Sequence, residues 1–289
     1  MTMINLRRLE IIMIKALFEY HFLQNALLAG ILASIVCGII GVIVVEKKLI
    51  MMSGGIAHTA YGGVGLGYLL GFEPVLGAFL FAVFSALGIG FISRRKKSQT
   101  DILIGLFWPL GMALGILFIS MMDSYPPDMT SYLFGSIISV TKADLLLMAG
   151  MTVVVLLSVT VLFNNWKAYL FDSEFASIIG ISTKFLEYFL LALIAMTVVV
   201  LIRVVGIILV LALLTAPAAV SGMLFKDLKK RMISSVFIGA FFCTAGLWAS
   251  YYLDIASGAA IVILCVVCYF AAYCITVFKN KRRTSAHIS

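Results

Sequence analysis

The chain has 289 residues, of which 63% are hydrophobic and 12% charged, and its mean hydropathy is +1.15. This composition excludes a water-soluble globular protein, and the net charge of +8 does not indicate nucleic-acid binding because the basic residues form short clusters between apolar runs. Long continuous apolar runs favour helices over barrel strands. The sequence therefore predicts an all-α, multi-pass protein of the cell membrane, in contact with the lipid bilayer.

The first residues, MTMINLRRLEIIMIKALFEY, contain charges at Arg7, Arg8, Glu10 and Lys15. These charges interrupt the apolar core that a cleaved signal peptide needs. We expect residues 1–20 to form an interfacial amphipathic helix.

Eight or nine transmembrane helices are predicted within a single domain covering residues 1–289. The apolar segments lie at about 23–45, 56–70, 74–93, 101–122, 142–163, 185–202, 204–224, 233–253 and 255–278. Basic clusters at 94–97, 226–231 and 279–283 follow the third, seventh and ninth segments, and the positive-inside bias places them in the cytoplasm, with a cytoplasmic tail at 279–289. Counting the membrane crossings back from these clusters then puts the N-terminus outside, which conflicts with the positive charges that it carries. Either the first segment is interfacial or the count near His58 is wrong by one.

The segment Met51–Gly71, MMSGGIAHTAYGGVGLGYLLG, sets one histidine among many glycines. At 3.6 residues per turn, one helix face carries Gly54, Gly55, His58, Gly62 and Gly65. A neighbouring face continues a small-residue series through Gly63, Gly67 and Gly71, which favours close helix packing. His58 is either a transient metal ligand in a translocation path or a packing residue satisfied by Ser53, Thr59 or a carbonyl.

A cytoplasmic amphipathic helix is predicted at 169–182, YLFDSEFASIIGIS. Asp172 or Ser173 is its expected N-cap and Gly180 its stop. Phe175, Ile178 and Ile179 form an apolar side that fits a groove on a soluble partner, or else rests on lipid.

Three acids, Asp123, Asp128 and Asp254, lie at predicted external loops and are candidates for docking a partner or attracting cations. Solvated loop charges are the alternative, and Asp254 is also a candidate cap for the final helix. Arg203 is expected to extend to the outer interface.

Neither a nucleotide site nor a cysteine metal site is predicted. The sequence has no G-x-x-x-x-G-K-[ST] segment, so any ATPase must be another chain. The five cysteines lie inside apolar runs, and the CVVC of Cys265–Cys268 has no second cysteine pair or nearby histidine to complete a site.

Six segments, in order, resemble the permease subunit of the zinc/manganese/iron ABC importers. They are GGIAHTAYGGVGLGYLLG, DILIGLFWPLGMALGILFIS, SYLFGSIISVTKADLLLM, FDSEFASIIGIS, VVGIILVLALLTAPAAV and YYLDIASGAAIVI. The resemblance implies a homodimeric pore with eight or nine helices per subunit, an external solute-binding protein and two ATPase subunits. It implies no catalysis and no permanent cofactor, with a divalent metal as cargo and ATP held by the partner.

The family's functional positions map onto two segments of this chain. Its coupling helix would be carried by Phe171 to Gly180, including Asp172, Glu174, Phe175 and Ile178. Its path motif, G-D-A-x-S-H-A-x-x-P-G, is matched by His58 and Gly63. Gly54 and Gly62 replace the family's aspartate and proline, which removes an oxygen ligand beside the imidazole.

Two other functional classes remain open. A stand-alone secondary transporter would need acids inside its spans or interrupted helices in repeated halves. A membrane-embedded enzyme would need a catalytic partner for His58 at a spacing of three or four residues. Neither pattern is found in the sequence.

Overall fold

The computed structural model describes residues 20–95, 100–122, 130–135 and 137–286. The interfacial helix predicted at 1–20 lies outside these ranges except for Tyr20. Asp123 and Asp128, and the end of the predicted tail at 287–289, also lie outside them.

Within the described ranges the chain forms helices and no strand. The helices are α1 (His21–Glu46), α2 (Ile50–Leu70), α3 (Pro74–Arg95), α4 (Thr100–Ser120), α5 (Thr130–Phe134), α6 (Lys142–Val161), α7 (Phe163–Phe171), α8 (Ser173–Ile178), α9 (Thr183–Val205), α10 (Ile207–Leu224), α11 (Leu228–Leu253) and α12 (Ser257–Ala286). A 3₁₀ turn at Ile137–Ser139 precedes α6.

All nine predicted apolar segments are helices, and the all-α membrane fold is confirmed. Eight helices in the described part of the chain are long and apolar enough to cross a membrane. The ninth is α2, whose glycines and His58 dilute its apolar character, although most of its length is buried by its neighbours. The last helix continues past its predicted end at 278 to Ala286, and the short α5 and α7 were not predicted.

The glycine-rich α2 packs between α3 and α4, and α1 packs against α10 and α11. The most enclosed helices are α1, α2, α9 and α10. In contrast, only 17% of the spanning stretch of α4 and 11% of that of α12 are buried, against 72% for α1. These two helices therefore present large apolar faces to whatever surrounds the subunit.

A close backbone contact fixes α5 beside the turn between α9 and α10. Gly135 and Gly206 both have positive φ, at +72° and +80°, and a Cβ on either one would collide with the other's backbone. This contact brings Tyr132 of α5 to the same end of the bundle as Arg203 of α9.

Candidate functional site

His58 lies in the middle of α2 and is 7% exposed. Its Nδ1 lies 2.9 Å from the carbonyl oxygen of Gly54, one turn earlier in the helix. Its ring stacks on the indole of Trp108 from α4, with ring centroids 4.1 Å apart and an interplanar angle of 26°. The imidazole is therefore held by its own helix on one edge and by α4 across one face.

The hydrogen bond to Gly54 distinguishes the two ring nitrogens. A carbonyl oxygen can only accept, so Nδ1 donates, and in a neutral imidazole the lone pair is then on Nε2. Among the hydrogen bonds of the described residues, none involves Nε2. Ser53 and Thr59 donate instead to the carbonyls of Ile50 and Gly55. The backbone thus supplies the partner that the packing interpretation requires, while Nε2 keeps the electron pair that a metal ion would need.

Trp108 fills the space beside Gly54. A Cβ added to Gly54 would lie 2.6 Å from Cζ3 of the indole and 3.0 Å from Cη2. Any side chain at position 54 therefore requires Trp108 to move. The position at which the resemblance leads one to expect an aspartate is closed by an aromatic ring.

The other glycines of α2 bring backbones together on the two predicted faces. Gly55, Gly62 and Gly65 approach α4, while Gly63 and Gly67 approach α3. A Cβ on Gly62 or Gly65 would meet a carbonyl oxygen of α4 at 2.8 Å or 2.6 Å. Gly71 departs from the predicted series, because it ends the helix in a left-handed conformation with nothing near its Cβ position.

Within the described residues, no group of three or more histidine, cysteine or acidic side chains is arranged to hold a metal ion. The five cysteines are free. His58 is thus a single nitrogen donor in an apolar, glycine-lined setting and not part of a closed coordination sphere.

The predicted amphipathic helix is present as α8, but it covers only Ser173–Ile178, because residues 169–171 belong to α7. The carboxylate of Asp172 is its N-cap and accepts from the backbone N–H groups of Glu174 and Phe175 at 3.0 and 2.9 Å. Gly180, with φ of +87°, follows its end as expected. Phe175, Ile178 and Ile179 are 56%, 80% and 53% exposed, so the apolar side of this helix is uncovered in the subunit.

The preceding helix, α7, anchors α8 to the bundle. Trp166 is fully buried, and its ring is stacked with that of Phe189 of α9 at a centroid distance of 6.3 Å. The Lys47 ammonium lies 3.7 Å from the centroid of the Tyr169 ring. Burial raises the pKa of Tyr169 to about 12, with the Glu187 carboxylate adding to the rise. Lys47 belongs to the turn between α1 and α2, so α7 contacts the segment that leads into the His58 helix.

At the other end of the bundle, Arg203 bridges two carboxylates that the sequence did not single out. It lies 3.3 Å from Glu73 and 3.5 Å from Asp144, whose own carboxylate completes a capping box with Thr141 at the start of α6. A polar cavity of about 220 Å³ adjoins this cluster. Arg203 is half-exposed as predicted, but it pairs with acids instead of simply extending into solvent.

Three further residues, Tyr68, Tyr132 and Asp254, lie at this end of the bundle. The hydroxyls of Tyr68 and Tyr132 lie 3.2 Å apart, and burial raises the pKa of Tyr132. Asp254 ends α11 in a left-handed conformation, whereas α12 begins only at Ser257. The expectation that Asp254 caps the final helix is therefore wrong.

Four residues of the candidate sites were not predicted from the sequence, namely Glu73, Trp108, Asp144 and Tyr169. The pattern Thr141-x-x-Asp144 is a recognisable capping signal and could have identified Asp144. Nothing in the local sequence pairs Trp108 with Gly54, because the two are brought together only by the packing of α2 on α4.

Known proteins match this chain over most of the helical bundle. The model of the ABC 3 transport family matches residues 19–276. The chain is 40% identical over 257 residues to an uncharacterized membrane protein of Synechocystis, covering 89% of this chain and 91% of that protein. It is 33% identical over 260 residues to the manganese transport system membrane protein MntC of Listeria monocytogenes, covering 90% and 92%. The solved structure of PsaBC from Streptococcus pneumoniae in complex with Fab superposes with a TM-score of 0.81 at 30% identity, covering 90% and 94%.

Proposed function

Because this chain belongs to the ABC 3 transport family, we propose that it is the membrane permease of an ATP-driven importer of a divalent transition metal, with manganese as the first candidate cargo. The observation that carries the proposal is the family match along the bundle, from α1 into α12. The manganese assignment is supported by the name of the similar Listeria protein.

The proposed path runs past His58. A closed site with four ligands would hold the ion too tightly for transport, whereas a single Nε2 donor permits brief contact and release. The glycines of α2 lower the bulk along this helix, and Trp108 covers one face of the imidazole. In this proposal the ion reaches Nε2 at an edge of the ring that the indole does not cover.

A second copy of the chain is the proposed partner within the membrane. The support is the exposure of α4 and α12, whose spanning stretches are the least buried in the subunit. Leu106, Leu110 and Leu117 of α4 are each more than half exposed. Because α4 also carries Trp108, a twofold arrangement through α4 would set two His58 sites beside one shared path.

The proposed contact with the ATPase is α8. Its exposed apolar side chains follow the pattern of a helix that fits into a groove of a soluble partner. Nucleotide-driven closure of the ATPases would push on α8 and hence on α7. Since α7 contacts Lys47 and α9, the displacement reaches the start of α2 and biases the bundle between inward-open and outward-open states.

An external solute-binding protein is proposed to deliver the metal at the opposite end of the bundle. That end carries Asp254 and the ion pairs of Arg203 with Glu73 and Asp144, while Asp123 and Asp128 belong to the same predicted outer face. Surface acids can steer a docking partner and raise the local concentration of cations.

The test is co-purification followed by transport. Affinity-tagged permease, expressed with the ATPase and binding protein of its own cells, should retain an ATPase chain. Proteoliposomes of the complex should accumulate manganese only with ATP. Manganese uptake by the permease alone under an ion gradient would instead identify a secondary transporter and refute the proposal.

A further inference from the structure

A ridge of exposed apolar side chains on α11 separates two grooves. Ile233 and Phe237 form the ridge and are 49% and 71% exposed. The first groove, of about 570 Å³, lies between α11, α1 and α6 and includes Ile39 and Val159. The second, of about 490 Å³, is shallower and more open, and it is lined by Phe225 and by α11 residues as far as Phe241. The two grooves share the ridge and are otherwise lined by different residues.

Each groove has one lysine at the same end. Lys229 lines the first groove and Lys230 the second. At about 100° per residue, Lys229 and Lys230 lie on either side of the angular positions of Ile233 and Phe237, so the two ammonium groups flank the ridge. Neither lysine forms an ion pair among the described residues, whereas the neighbouring Arg231 pairs with Glu46. Asp227, the nearest acid on this segment, caps α11 by accepting from the Lys230 backbone.

The second groove has about the length of one membrane leaflet, whereas the first spans eight residues of α11, from Lys229 to Phe237, or about 12 Å. Lys230 to Phe241 spans eleven residues of helix, or about 16 Å, which is close to half of the ~30 Å hydrocarbon core. The lysines therefore lie at headgroup level when the ridge lies among acyl chains.

We propose that this surface is a binding site for an anionic diacyl phospholipid. One acyl chain occupies each groove, the chains straddle Ile233 and Phe237, and the phosphate lies between Lys229 and Lys230. Basic pockets between transmembrane helices are a recognised way to hold anionic headgroups. The faces of α4 and α12 proposed for dimerisation line neither groove, so this surface stays open to lipid in the proposed dimer.

The site is tested by lipid titration of the purified, delipidated chain in uncharged detergent, with bound lipid counted by native mass spectrometry. Phosphatidylglycerol should bind at lower concentration than phosphatidylcholine of the same chains. The variant Lys229→Gln/Lys230→Gln should weaken phosphatidylglycerol binding by about thirtyfold and leave phosphatidylcholine unchanged. The control variant Lys167→Gln/Lys184→Gln removes two exposed lysines from α7 and α9 at the same end of the bundle and should bind phosphatidylglycerol like the native chain.

Three results would overturn the proposal. The first is equal binding of the two lipids, which means unselective annular contact. The second is an equal loss in the control variant, which means a diffuse charge effect. The third is efficient crosslinking of Phe237→Cys between copies in native membranes, above the level of the unmodified chain, which means that a second copy covers the ridge. These measurements are independent of metal transport.

Discussion

The contact between Gly54 and Trp108 makes a quantitative prediction. Replacing a helical glycine with alanine normally stabilises the helix by about 0.5–1 kcal/mol. In Gly54→Ala the new methyl lies 2.6 Å from the indole, and overpacking of this kind costs about 1–3 kcal/mol. We therefore expect Gly54→Ala to lower the free energy of unfolding by about 1 kcal/mol.

The cause is isolated by a double-mutant cycle. Trp108→Phe removes the two indole atoms that lie closest to the position-54 Cβ, so Gly54→Ala should stabilise the chain by about 0.5–1 kcal/mol in that background. The coupling between the two changes is then about 1–3 kcal/mol. Gly88→Ala is the matched control, since nothing lies within 4 Å of its Cβ position, and it should not depend on Trp108.

The assay is equilibrium unfolding in detergent mixed with increasing SDS. An effect of Gly54→Ala that is the same with tryptophan and with phenylalanine at position 108 would mean that the indole does not occupy the space beside Gly54.

Three further predictions concern both ends of the bundle. Thr141→Ala removes half of the capping box with Asp144 and should destabilise the chain by about 1 kcal/mol in the same unfolding assay. Glu73→Gln changes a well-exposed ion pair and should lower the free energy of unfolding by less than about 0.5 kcal/mol. Asp172→Ala removes the N-cap of α8 and should reduce ATPase co-purification and uptake while overall stability changes little; Asp172→Asn, which can still accept from the backbone, should retain both. The pKa of Tyr169 is raised to about 12 in the folded chain from an ordinary value of 10, so its stabilising contribution is complete below pH 10 and is lost as the pH rises towards 12. Tyr169→Phe should therefore lose less stability than the native chain between pH 10 and pH 12. An identical pH profile for the two proteins would contradict the burial of this hydroxyl.

Most of the helices could be predicted because eight of the nine apolar runs are about as long as a bilayer crossing requires, whereas the run at 56–70 is shorter. The caps of α8 were also predictable, because Asp172 and Gly180 act through local backbone geometry. The two faces of α2 followed from helical spacing alone, apart from Gly71, where the helix ends. These features depend on residues within one or two turns of each other.

The environment of His58 could not be predicted in the same way. Its contact with Trp108 joins positions 50 residues apart, and no pattern within α2 specifies which residue of α4 lies opposite Gly54. The ion pairs of Arg203 likewise join the ends of three different helices. Such contacts depend on the relative rotation of packed helices, which many small packing terms determine together.

The most direct test of the proposed metal path is manganese uptake by His58→Ala in proteoliposomes that contain the complete importer. We expect a large loss of ATP-dependent uptake with normal assembly and normal ATPase binding. His21→Ala, which removes an exposed histidine at the start of α1, should transport like the native chain. Native uptake by His58→Ala would exclude His58 from the metal path and leave it as a packing residue between α2 and Trp108.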